Sequence, residues 1–125
     1  MTPEEHLIKA ADDLAQHGHA KYAFFTNQAA ESWTTARACA LGALARTDTE
    51  THIAQQSWGV LVKDVQNCPA AHKLAHHLRA KHPALFAEPP ADDYDTITQY
   101  NDHPDTTGED VILAMKQAAH DTEPT

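Results

Sequence analysis

Ala36-Arg37-Ala38-Cys39-Ala40-Leu41-Gly42-Ala43-Leu44-Ala45-Arg46 is the stretch on which the fold turns. Alanine at 36, 38, 40, 43 and 45 gives it strong helix propensity and almost no side-chain bulk. Leu41 and Leu44 add larger apolar contacts at i and i+3, and Gly42 lets a neighbouring backbone come close. A helix this thin belongs at the centre of a domain, with longer amphipathic helices around it. Thr34 or Thr35 is placed to cap it.

Outward from this centre, the pattern stays helical. Thr2-Pro3-Glu4-Glu5 reads as a capped helix start with proline at the first helical position. Leu7, Ile8, Ala11, Leu14 and Ala15 continue it as one apolar stripe, and Gly18 stops it, which predicts a helix over 3–17. Ala54, Trp58, Leu61, Val62 and Val65 predict a helix over 50–66. Asn67-Cys68-Pro69 ends that one and begins another, whose Ala71, Leu74, Ala75 and Leu78 face inward. Leu85 and Phe86 fold a short turn back to the core. Thr106 and Glu109 form a second capping box ahead of a last helix that buries Val111, Ile112, Met115, Ala118 and Ala119.

Two segments break the rule. Tyr22, Phe24 and Phe25 lie on one side of the polar Asn27–Glu31, and Trp33-Thr34-Thr35 on the other. That arrangement reads as a small β-hairpin or an aromatic loop after the first helix. Glu88-Pro-Pro-Ala-Asp-Asp-Tyr-Asp95 reads as an acidic surface crossing stiffened by two prolines. The expectation is a mainly α, compact single domain over 1–125 of about five helices, with 121–125 as a frayed tail.

Charge and composition narrow the function classes. Eighteen acidic residues against nine basic ones give a net charge of −9, and the basic residues are scattered singly. Such a surface repels phosphate backbones, which speaks against direct nucleic-acid binding. No apolar run approaches the ~20 residues of a membrane helix, and the Met-Thr-Pro-Glu-Glu start is unlike a signal peptide. Two cysteines without C-x-x-C spacing make no disulfide framework, so the expectation is a cytoplasmic protein.

Three constellations could carry function. Cys39 with His103 and Asn101 or Asp102 has the residue types of a cysteine hydrolase: a thiol, a base and a group to orient the base. Against it, the Ala-Leu-Gly-Ala-Leu context of Cys39 is that of a packed, inert thiol. His72 and His76, at i and i+4, project from one helical face and could grip a transition metal, with His82, His103 or an acid of 92–95 as third ligand. The plainer reading is a polar face that uses histidine. Tyr22, Phe24, Phe25 and Trp33 form an aromatic group able to act as an interaction patch. No glycine-rich phosphate loop is present and no cofactor is expected.

The stretch Cys39-Ala-Leu-Gly-Ala-Leu44, together with Ile97-Thr-Gln-Tyr-Asn-Asp102 before the last helix, resembles a family of small uncharacterised proteins of actinobacteria and their phages. That family carries a Cys-x-x-Gly-Ala-Leu helix and an Ile-x-x-Trp-Asn-Asp segment; Tyr100 stands where its tryptophan usually does. The resemblance implies layout and a phage-like origin, and it transfers no catalytic role. The leading expectation is therefore a small acidic protein that acts by binding a host protein. A cysteine hydrolase and a histidine metal site stand behind it.

Overall fold

The computed structural model describes residues 2–21, 36–47, 68–86 and 92–121. Five α-helices carry these residues: α1 (Pro3–His17), α2 (Ala40–Thr47), α3 (Pro69–Lys81), α4 (Asp93–Asp102) and α5 (Gly108–His120). A 3-10 turn, Pro83–Leu85, follows α3. The fold is mainly α, as the helical spacing requires.

The ends of α1 follow from short-range chemistry. Thr2 Oγ1 accepts from Glu5 N at 3.1 Å, and Glu4 and Glu5 sit at the positive end of the helix. Gly18 closes it with φ +98°, a conformation that suits glycine, and donates its N–H to Leu14 O. The capping box of α5 forms one residue later than expected. Thr107 Oγ1 accepts from Asp110 N, and Asp110 Oδ2 accepts from Thr107 N. Thr106 is buried instead.

The central helix begins at Ala40, four residues after the alanine-rich stretch does. Ala38 is held elsewhere: its N–H donates to Gly18 O and its carbonyl accepts from Ala20 N. His19 and Ala38 thus form an isolated parallel bridge, the one β contact among the described residues. Two backbone bonds to a distant segment outweigh the alanine propensity of 36–39. From Ala40 to Ala45 every residue of α2 is buried, which puts this small-residue helix in the core as expected.

α1 packs against α5 and α2, α3 against α4 and α5. Leu7, Leu14, Leu44, Leu74, Leu78, Ile97 and Met115 form the bulk of the core, with alanines between them letting the helices approach. Arg46, at the end of α2, makes a two-pronged ion pair with Asp13 of α1 (Nε to Oδ2 3.0 Å) and donates to Ala36 O at 2.8 Å.

Asp92, Asp93 and Asp95, expected as a surface crossing, start α4. Asp92 Oδ1 accepts from Asp95 N at 2.8 Å, and the acids favour the helix N-terminus. Asp121, where the expected frayed tail begins, accepts from Lys73 Nζ at 2.8 Å through its carbonyl. The expected 50–66 helix, the 22–35 hairpin and the tail beyond 121 lie outside the described residues. No helix among the described residues is long and apolar enough to cross a membrane.

Candidate functional site

The two motifs 39–44 and 97–102 meet. Asn101, 2% exposed near the end of α4, is the junction. Its Oδ1 accepts from Ala40 N at 2.9 Å and faces His19 Nε2 at 2.7 Å. Its Nδ2 donates to Ala20 O at 3.1 Å and to Asp102 Oδ1 at 2.9 Å. Because Oδ1 is an acceptor, His19 must carry its proton on Nε2. One amide therefore ties α4 to the start of α2 and to the bridge segment.

Cys39 stands beside it as the cap of α2. Its Sγ accepts from Gly42 N at 3.3 Å and its carbonyl accepts from Ala43 N at 2.9 Å. Ala40 N and Gly42 N are two of the donors that a helix N-terminus leaves open, and Asn101 and Cys39 satisfy one each. Burial pushes the Cys39 thiol up to about 11, and the negative charge of Asp102 nearby adds to the rise; the Gly42 and Leu41 amides pull the other way without prevailing. The thiol is thus protonated at neutral pH, the inert state for a nucleophile. Tyr94 borders the same corner, its hydroxyl raised by burial first and then by Cys39 and Asp102.

Of the four residues proposed for a hydrolase, the structure gathers Cys39, Asn101 and Asp102. His103 is occupied elsewhere: its Nδ1 accepts from Asp105 N at 3.1 Å and its carbonyl accepts from Lys21 Nζ at 2.6 Å. The imidazole at Asn101 is His19, 82 residues away in sequence. Nothing in the local sequence marks it. Gly108, at the start of α5, makes room for it; a Cβ there would lie 2.8 Å from His19 Cβ.

His72 and His76 are both exposed on α3. His72 Nδ1 lies 2.9 Å from Asp93 Oδ2, and Asp93 also takes Arg79 Nη2 at 2.9 Å, so the pair ties α3 to α4. His82 stacks on Tyr100 at 5.2 Å. Among the described residues no group of three histidine, cysteine or acidic side chains is arranged to hold a metal ion. Tyr22, Phe24, Phe25 and Trp33 lie outside the described residues.

Among the described residues two histidines are buried, His6 and His77. His6 Nε2 donates to Leu44 O at 2.6 Å, which leaves Nδ1 as the acceptor facing Cys68 Sγ at 3.5 Å. This joint fastens α1, α2 and the start of α3. His77, 2% exposed, places Nδ1 against Asp121 Oδ2, and its Nε2 is buried with no partner among the described residues. A bare histidine in a helix, with its partner 44 residues on, carries no sequence signature.

No curated protein and no solved structure matches the chain. A family model, that of DUF6197, described as a family of unknown function, matches residues 1–121. The expected membership in a family without an assigned activity thus holds at that level: the chain belongs to the DUF6197 family.

Proposed function

We propose that this protein acts by binding another protein and not by catalysis. The observation that carries the reading is how the Cys39 corner is spent. Three of the four polar contacts of Asn101 join distant chain segments and the fourth goes to the neighbouring Asp102, and the thiol beside it is capped, buried and protonated. The charge of −9 then favours a partner with a basic face, since complementary fields speed encounter and select partners. The acidic charge and the resemblance to phage proteins support a host protein as that partner. The two cysteines, both buried thiols, fit a cytoplasmic setting.

One observation favours the cysteine-hydrolase reading as the second choice. His19, oriented by Asn101, supplies an imidazole at the corner that holds Cys39, in the role expected of His103. Native-state alkylation separates the two. Under the binding reading iodoacetamide leaves Cys39 unmodified at pH 7.5 in the folded protein and labels it on denaturation. Rapid native labelling of Cys39, lost in His19→Ala, overturns it. In parallel, capture from host lysate by the intact chain is expected to retain one stoichiometric protein. That retention should weaken with salt.

A further inference from the structure

Where the C-terminal ends of α3 and α5 come together, the surface holds a cavity of about 440 Å³ lined by His77, Lys81, Leu113, Lys116, His120 and Asp121, among others. Its lining is cationic in a chain whose net charge is −9. Two ammonium groups and two imidazoles face a single carboxylate, and that carboxylate, Asp121, already accepts from His77 Nδ1. The ion pairs with full cations among the described residues use Arg46, Lys73 and Arg79, the last two on α3 itself; none uses Lys81 or Lys116.

His77 is the buried member of the lining and so forms its floor. With the proton on Nδ1 facing Asp121, Nε2 of the neutral ring is an acceptor, buried and without a partner among the described residues. Buried acceptors without a donor are rare because each forfeits its solvation. The negative ends of two helices account for Lys81 and His120 by themselves. They do not account for a buried imidazole nitrogen without a partner in the same lining. The combination asks for a ligand with negative charge for the lysines and a hydroxyl for Nε2.

We propose that this cavity binds a small hydroxylated oxyanion, a hydroxycarboxylate or a polyol phosphate. The anionic oxygens rest on Lys81 and Lys116, and the hydroxyl donates to His77 Nε2. Because Nε2 is buried, side chains of the lining, among them the 54% exposed Leu113, must move to admit the hydroxyl. Asp121 holds the imidazole in the accepting tautomer, and Lys73, paired with Glu4 and bonded to Asp121 O, holds Asp121 in place. The site is independent of the binding role proposed above.

The test is a titration of the intact chain followed by the NMR signals of the His77 and His120 rings. Glycolate is compared with acetate, glycerol 1-phosphate with inorganic phosphate, and glycerol serves as the uncharged arm. Saturable shifts are expected, with the hydroxylated member of the favoured pair binding about tenfold more tightly, as one added buried hydrogen bond allows. Whichever pair binds identifies the oxyanion. Lys81→Gln with Lys116→Gln, both exposed, should weaken binding about tenfold or more, and Lys9→Gln on α1 should leave it unchanged. His77→Leu should erase the preference for the hydroxylated member while anion binding persists. Shifts that never saturate, equal weakening by Lys9→Gln, or glycerol binding as tightly as glycolate would overturn the site. Equal affinity within each pair would remove the contact to Nε2 and the proposal with it.

Discussion

Asn101 and His77 are equally buried, each 2% exposed, and the chain treats them in opposite ways. Asn101 has both ends of its amide engaged, by Ala40, His19, Ala20 and Asp102. His77 has one ring nitrogen engaged and the other bare. A saturated polar group in low dielectric is a joint: it specifies one arrangement of the segments that meet on it. A half-satisfied one costs stability and contributes no such specification. The first kind of residue belongs to the fold, and the second is where a ligand has something to gain.

Asn101→Ala strands Ala40 N and Ala20 O in the interior, and a loss of about 3–5 kcal/mol in urea unfolding is expected. A loss under about 1 kcal/mol would mean that water replaces the amide and that the junction is no joint.

The Cys39 thiol next to it makes a pH-dependent contribution with a definite sign. Its pKa rises from 9.0 to about 11 on folding, so the folded state holds the proton more tightly than the unfolded chain does. The associated stability is full below pH 9 and drains away as pH rises towards 11, by up to about 3 kcal/mol. Unfolding free energies of the parent and of Cys39→Ala, measured across that window, should differ in slope. Parallel curves would place the thiol in contact with water.

Gly108→Ala sharpens the same region from the other side. The new Cβ meets His19 Cβ, which cannot swing away as the tip of a long side chain could. A loss of about 1–3 kcal/mol is expected from displacing the bridge segment, seen as a lower midpoint in chemical denaturation. The smallest effect should come at the opposite pole. His77→Leu replaces a bare buried nitrogen with carbon and leaves Asp121 partly open to water, so stability should stay within about 1 kcal/mol of the parent or rise. A loss comparable with that of Asn101→Ala would show that the two buried groups are alike after all.

How far the sequence could be read follows the range of the interactions involved. The ends of α1, the start of α3 at Pro69 and the stripe of α5 were legible because each rests on side chains within one or two turns. Thr2 to Glu5, Gly18 after Leu14, and Val111 with Met115 and Ala118 are such sets. Acids after a Pro-Pro pair read as a crossing because sequence alone does not tell a solvated Asp from one that caps a helix; Asp92 capping α4 decides it. The candidate site was legible by half. Cys39, Asn101 and Asp102 drew attention by type, and they do meet.

Beyond that range, the sequence by itself determined a mainly helical chain with a small-residue helix at its centre and a strongly acidic surface. Only the tertiary structure decided that α2 starts at Ala40, that His19 and not His103 reaches Asn101, and that His77 keeps a bare nitrogen. The reason is common to all three. Each depends on partners between 20 and 82 residues away, Gly18 for Ala38, Asn101 for His19 and Asp121 for His77, and hydrogen bonds of that separation leave no periodicity in the chain.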